Sequence, residues 1–365
     1  METNRRSYLS IDDLFEALNA KDRGRYIVMD CPCCEVKNAA FSYKKNLNFI
    51  SCNRQNECGE TTLVTFEKEI DSSKIKLEED THTTPLSVEK QKEITLLSSQ
   101  LQHLVSNVRI DHEVCKTYRG LSQVNYSDYL IKTPNNQLGL SLAEKLPHIF
   151  ENYDTPSKKK LLENRDVIIP YFDETNKVDR LLLRSSQPLK GAIKEINVLV
   201  QDNKRDAKDY HLSLSKDASR TDNPIILAET IIDGLSLREI DKNCEFIAVS
   251  GVNHMRQAMS YVSENKEQFK ERSFIIAMDN DRAGEVATQK WETLLTQLDL
   301  TNTRFEYPEG DQHDLNDLLT NNKAALIDSY SSSIHKNKSR HYQDKLDKLV
   351  DSVSLSPEVN KEIEI

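Results

Sequence analysis

Residues 224–284 read PIILAETIIDGLSLREIDKNCEFIAVSGVNHMRQAMSYVSENKEQFKERSFIIAMDNDRAG. Three short apolar runs, PIILA, FIAV and FIIAM, are each followed by a polar or glycine-containing stretch of helix length. That is the pattern of buried parallel strands alternating with helices. Two of the runs end in acid: Glu229 closes the first, and Asp279 and Asp281 close the third. In an open α/β sheet the carboxyl ends of the strands share one edge, where ligands bind at the reversal of strand order. Three carboxylates on that edge repel one another in a partly dry site and call for a cation. An all-oxygen donor set suits Mg²⁺ or Mn²⁺ better than zinc.

The residues Glu229-Thr-Ile-Ile-Asp233-Gly234 resemble the E-G-x-x-D motif of the Toprim domain, with Thr230 where glycine is usual. Asp279-Asn-Asp281-Arg-Ala-Gly284 resembles that domain's D-x-D motif in its primase form, D-x-D-x-A-G. Asp314-Leu-Asn316-Asp317-Leu-Leu resembles the closing K-D-x-N-D-L-L, with His313 where lysine is usual. A lone D-x-D is weak; these three in this order are specific. The resemblance implies that Glu229, Asp279 and Asp281 are catalytic. It also implies that these three, with Asp317, hold Mg²⁺ (or Mn²⁺), and that Asp233 and Asp314 are supporting acids. On the residues alone, Asp314 is the N-cap of the helix it opens, and Asp233 a surface acid of its helix.

Five of the seven cysteines crowd between Cys31 and Cys58. In a reducing compartment such crowding points to a metal rather than to disulfides. Cys31 and Cys34 form a C-x2-C knuckle with Pro32 in its turn, and Cys52 and Cys58 a second pair. The segment AAFSYKKNLNFISC between them reads as two strands joined by a Lys-Asn turn. Four thiolates held tetrahedrally make a structural Zn²⁺ site. The stretch resembles the zinc-ribbon finger of primases, in which C-P-x-C is followed by F-x-C-x-x-C. Cys33 adds a third thiol to the knuckle and leaves it or Cys34 as the ligand; the x2 spacing favours Cys34. Arg25, Tyr43, Lys44, Lys45, Phe49 and Arg54 supply charge and rings suited to single-stranded DNA. The bland alternative packs Phe41 and Phe49 beneath the metal.

Ahead of the finger, METNRRSYLSIDDLFEALN reads as an acidic amphipathic helix, with Ser10 as N-cap of a segment to Leu18, and not as a signal peptide. Behind it, residues 67–89 are polar and charged and read as a linker that lets the finger swing. Residues 90–106 look helical, and DHEVCKTYRGLS reads as a helix ended by Gly120; residues 126–160 give no clear signal. RDVIIPYFDETNKVDRLLLRSS at 165–186 is a hairpin, VIIPYF against VDRLLLRS. It resembles the stretch before the Toprim domain in primases, with Arg165 and Arg184 at that family's basic positions. These two arginines, and Lys208 with Lys204 and Arg205 as weaker candidates, are expected to bind nucleotide or template phosphates. Their bland role is pairing with nearby acids. RFEYPE then reads as a fourth strand, DLNDLLTNNKAALIDSY as a helix, and HYQDKLDKLVDSV as a charged tail helix; Cys244 and Trp291 read as packing residues.

The net charge of −10 argues against a generic nucleic-acid coat, although clustered metal acids subtract from a locally basic groove. No apolar run approaches a transmembrane length, so a cytoplasmic protein is expected, bacterial or in a host's cytoplasm if phage-encoded. No G-x-x-x-x-G-K-[ST] occurs, so no ATP-driven motor is expected. The fold class expected is multidomain α+β: a small zinc-ribbon β domain, then an α/β primase core containing a Rossmann-like, mainly parallel Toprim sheet. The boundaries are 1–66 for the finger, 67–89 for the linker, 90–221 for the basic subdomain, 222–330 for the Toprim domain and 331–365 for a helical tail. The resemblance implies a phage- or plasmid-type DNA primase that makes short RNA primers. Its partners are single-stranded DNA, ribonucleoside triphosphates and a separate replicative helicase, with no membrane. The rivals are a Toprim-type nuclease and a non-catalytic zinc-finger DNA-binding protein of a mobile element.

Overall fold

The computed structural model describes residues 5–23, 26–43, 46–54, 58, 60–67, 86–110, 118–122, 131–133, 135–172, 177–188, 193–200, 208–215, 223–309 and 314–354. Most of the expected linker, the hairpin turn, Lys204, Arg205 and His313 lie outside these residues. The chain divides into two compact units, Met1–Thr84 with Asp281–Ala283, and Pro85–Asn280 with Gly284–Ile365. No helix of the described residues is long and apolar enough to cross a membrane.

The first unit contains β1 (Arg5–Tyr8), α1 (Ile11–Ala17), β2 (Lys21–Asp22), β3 (Tyr26–Met29), β4 (Ala40–Tyr43), β5 (Asn46–Cys52) and β6 (Thr61–Phe66). They form one sheet in the order β1-β6-β5-β4-β3-β2. The amino-terminal stretch is therefore not all helix: β1 pairs in parallel with β6 before the helix starts. Ser10 caps α1 as expected, its hydroxyl accepting from the Asp13 N–H at 3.3 Å while Asp13 returns a bond to the Leu9 N–H at 3.0 Å. The expected strand pair is β4 and β5, which carries Cys52 back beside Ala40. Leu14, Ile27, Met29, Ile50 and Val64 form a small core against the cysteines. A core this size is marginal alone, and such domains lean on a metal.

The second unit opens with α2 (Val88–Ile110), β7 (Ile131–Lys132), α3 (Leu138–Lys145) and α4 (Pro156–Lys159). The expected helix ahead of Gly120, at 111–117, lies outside the described residues; Tyr118 and Leu121 form an isolated antiparallel bridge around Arg119 and Gly120, both at positive φ. Then β8 (Val167–Phe172) and β9 (Val178–Arg184) make the expected hairpin, and β10 (Glu195–Leu199) adds to it, giving the order β10-β9-β8-β7.

The larger sheet is built from β11 (Tyr210–Ser213), β12 (Ile225–Ala228), β13 (Glu245–Val249), β14 (Phe274–Ala277) and β15 (Asn302–Arg304). Its helices are α5 (Ile231–Arg238), α6 (Met255–Glu264), α7 (Lys266–Phe269), α8 (Arg282–Gln297), α9 (Leu315–Asn321) and α10 (Lys323–Ser354). The strand order is β11-β13-β12-β14-β15, with the last four parallel and β11 antiparallel at the edge. The three apolar runs are the three central strands. Alternation sends Ile226, Phe246 and Ile275 to a face covered by α5 and α9, in a core continuous with β8 and β9. Leu227, Ile247 and Ile276 go to the face covered by α6 and α8, where Trp291 is fully buried. A fully buried aliphatic or aromatic side chain contributes about 1.5–3 kcal/mol, so these two layers hold the sheet. Cys244 and Trp291 are packing residues, as expected. The expected fourth strand is shorter and earlier than RFEYPE, ending at Arg304. The helix after it is interrupted at Asn322, and the expected tail helix is the far part of α10.

Candidate metal centres

The four thiols of Cys31, Cys34, Cys52 and Cys58 lie within 4.8 Å of one another. The Cys31–Cys58 and Cys34–Cys52 sulfurs are each 3.9 Å apart. That matches the edge of a tetrahedron with metal–sulfur bonds of about 2.3 Å. The loops are built for thiolates, because the N–H of Cys33 points at Cys31 Sγ and the N–H of Arg54 at Cys52 Sγ, each at 3.4 Å. Cys33 stands apart from the group, with its sulfur 3.3 Å from Thr62 Oγ1. Burial raises the Cys31 thiol, but the N–H groups of Cys34 and Cys33 together with the Cys34 and Cys52 thiols leave the pKa lowered. Burial first, and then Cys31 and Cys58, push Cys52 up to about 12. Four thiols with no cation among them resist sharing negative charge; a divalent ion removes that penalty. The donor set and spacing fit zinc.

The second centre lies at the carboxyl edge of the larger sheet. Glu229 follows β12, and Asp279 lies just beyond the neighbouring β14. The Asp279 N–H donates to Glu229 Oε2 at 3.3 Å, so two acids fifty residues apart in the chain meet across the strand ends. Asp281 immediately precedes α8. Gly284, in the first turn of that helix, sits so close to Asp279 that a Cβ would fall 1.9 Å from the Asp279 carbonyl oxygen. Only glycine allows this approach, which fixes the helix start against the acid.

Asp233 is not the surface acid of its bland reading; it is 3% exposed and closes a capping box with Thr230. Thr230 is therefore the N-cap of α5, a role that glycine at this position cannot fill with a side chain. Burial first, then the charge of Asp314, raise the Asp233 pKa to about 7. Asp314 caps α9, accepting from the Asp317 N–H at 2.6 Å. Burial and the Asp317 carboxylate raise its pKa, with Arg119 opposing. Asn316 is buried and bonds the Arg119 carbonyl at 2.8 Å and Ser236 Oγ at 3.0 Å, fastening α9 to α5. Asp314 is thus the acid of this motif that acts on Asp233, while Asp317 acts on Asp314.

Among the described residues the thiols are the one group of three or more metal-competent side chains whose ligand atoms all lie within 4.8 Å of one another; the acids of the three motifs make no such tight group. An acidic row that does not close into a cage fits Mg²⁺, which keeps several waters and takes one or two carboxylates together with substrate phosphates.

Of the basic residues, Arg165 is 5% exposed and its fork is spent on the carbonyls of Leu161, Ile193 and Lys194 at 3.0, 2.9 and 3.3 Å. Arg184 pairs with Glu195 through two nitrogens at 2.9 Å. Lys208 lies over the Tyr210 ring, 4.8 Å from its centre. Sequence reasoning missed Arg180, which is buried, bonded to Asp209 at 2.6 Å and to Ser250 Oγ at 3.1 Å, and stacked over Tyr171. The Asp179-Arg180 pair at the head of the apolar run of β9 was its signal, since a buried charge demands a partner. On the finger, Phe49 is 47% exposed and does not lie beneath the thiols. Arg25, Lys44 and Lys45 fall outside the described residues.

Residues 226–319 match the family model described as Toprim-like. Among curated proteins none matches the chain. Among solved structures, the zinc-binding and RNA polymerase domains of the Aquifex aeolicus primase share 17% identity, covering 89% of this chain and 82% of that one with a TM-score of 0.49. A DNA primase domain from Pseudomonas aeruginosa shares 18% identity, covering 64% of this chain and 78% of that one with a TM-score of 0.41. The primase fragment of the bacteriophage T7 primase-helicase shares 14% identity, covering 82% and 95% of the two chains with a TM-score of 0.35.

Proposed function

We propose that this chain is a DNA primase, a nucleotidyltransferase that builds short RNA primers on single-stranded DNA from ribonucleoside triphosphates. The observation that supports this most is the bond from the Asp279 N–H to the Glu229 carboxylate, which lies inside the segment matching the Toprim-like model. The order of finger, hairpin and acidic motifs along the chain supports primer synthesis over the nuclease alternative.

In this proposal Glu229, Asp279, Asp281 and Asp317 hold Mg²⁺ or Mn²⁺, with Asp233 and Asp314 supporting them. When bound, the ion neutralises the incoming triphosphate and lowers the pKa of the primer 3′-hydroxyl. The 3′-oxygen forms a bond to the α-phosphorus, the bond to the pyrophosphate oxygen breaks, and the hydroxyl proton passes to Glu229 where that carboxylate serves as general base instead of as a ligand of the ion. Arg184 and Lys208 supply charge for template or triphosphate oxygens, Arg184 by exchanging Glu195 for phosphate. Arg165 is better assigned to holding the 193–194 segment ahead of β10 in place than to the phosphate contact expected of it, because its Nε, Nη1 and Nη2 each donate to a carbonyl. Cys31, Cys34, Cys52 and Cys58 hold Zn²⁺, and the exposed Phe49 ring stacks on a template base. The reaction is placed in the cytoplasm, with a separate helicase supplying the single strand.

The test is incubation of a labelled mixed-sequence single strand with Mg²⁺, with and without ribonucleotides. New RNA that requires ribonucleotides is expected. Shortening of the strand without them identifies a nuclease, and binding with neither product identifies a DNA-binding protein only.

A further inference from the structure

Beyond β15 the chain runs through Phe305 and Glu306 to Tyr307, at the same sheet edge as the acids. This segment is rigidly held. The Glu306 N–H donates to the fully buried Ser333 hydroxyl of α10 at 3.0 Å, and the Phe305 and Tyr307 rings meet edge to face at 5.0 Å. The Tyr307 ring packs against the main core, yet its buried hydroxyl has no hydrogen-bond partner among the described residues. Burial first, and then the charges of Asp233, Asp279, Asp314 and Glu229, push this phenol well above its ordinary range. The hydroxyl therefore faces four acids and bonds to none of them.

Leaving a buried hydroxyl without a partner is destabilising. Phenylalanine would fill the same space without that cost. A buried hydroxyl under the influence of carboxylates is a polar site, where ordered water rather than a void is expected. A cation on the acidic row brings such water with it, because Mg²⁺ dehydrates reluctantly. We propose that Tyr307 is a positioning residue for the metal: its hydroxyl hydrogen-bonds a water in the hydration shell of the divalent cation held by the acidic row. The inference rests on the proposed metal role of that row. It adds an uncharged partner to an all-carboxylate set, on a segment that none of the three motifs includes.

The experiment compares the zinc-loaded full chain with its Tyr307→Phe and Asp279→Asn variants, using Mn²⁺ as the probe. Binding is read from the loss of the free-ion paramagnetic resonance signal, and thermal midpoints are taken with and without Mn²⁺. Tyr307→Phe is expected to weaken Mn²⁺ binding about tenfold and to shrink the Mn²⁺-induced rise in midpoint, while its metal-free midpoint is unchanged or higher. Unchanged Mn²⁺ affinity overturns the proposal, and a lower metal-free midpoint with unchanged affinity assigns the hydroxyl a purely structural role. If the parent chain itself binds Mn²⁺ no better than Asp279→Asn, the metal role of the acidic row fails, and this inference fails with it.

Discussion

The backbone N–H of Asp279 reaches the carboxylate of Glu229 at 3.3 Å, joining the ends of β12 and β14. Neighbouring parallel strands bring their carboxyl ends to one edge, and this bond fixes how one acid is turned towards the other. The donor is main chain, so replacing the Asp279 side chain leaves the bond in place and tests chemistry with little disturbance of the fold.

Asp279→Asn is expected to lower primer synthesis by at least about 10²-fold. Its side chain is half-buried and its backbone N–H is retained, so the far-ultraviolet circular dichroism and thermal midpoint should match the parent. Full activity in the variant would remove this centre from the mechanism.

Zinc content separates the thiols. The parent and Cys33→Ser are expected to carry one zinc per chain by atomic absorption, and Cys34→Ser or Cys58→Ser less than one tenth of that. The reason is geometric: Cys33 is turned to Thr62, while the other four sulfurs share one space.

Gly284→Ala is expected to destabilise the second unit by about 3 kcal/mol and to abolish activity together with it. The added methyl meets the Asp279 carbonyl, which is backbone and cannot swing aside. Denaturant midpoints measure the loss.

His211 gives the chain an acid-sensitive joint. It is buried against Tyr171, with Nε2 2.9 Å from the Pro170 carbonyl, and Arg180 and Lys208 face it. Burial first, and then those two cations, push its pKa down to about 3 against 6.5 for the ordinary side chain. The unfolded chain therefore binds a proton that the folded chain refuses. The neutral-state stability is fully present above pH 6.5 and is lost as pH falls towards 3, at up to about 1.4 kcal/mol per pH unit. Between pH 6.5 and 5, His211→Gln should show a shallower fall in denaturation midpoint than the parent, by the slope this histidine supplies.

The central strands were legible because residues such as Ile226 and Ile276 are buried on both sides of the sheet, which leaves continuous apolar runs. The edge strands were not. β11 spells YHLS, half polar, because only one side of it meets a neighbour, and β15 spells NTR. Ser10 and Asp314 were readable as caps because capping is local. The contacts of Arg165 were not legible for the opposite reason: two of its three carbonyl partners lie some thirty residues away, and no local pattern marks a carbonyl. Asp233 looked like a surface acid because its one-turn spacing from Glu229 says nothing about the helix α9 packed over it. Tyr307 carried no signal, since a tyrosine beside a strand is ordinarily core.

Asn337 of α10 is fully buried and donates to the Phe274 carbonyl at 2.8 Å and to Thr303 Oγ1 at 3.0 Å, while Ser273 donates to its oxygen at 2.6 Å. This one amide ties the long helix to both β14 and the outermost strand, whose free side would otherwise invite another polypeptide to add on. The helix works as a splint: shortening the protein ahead of Asn337 would expose a sticky margin and open the sheet to self-association.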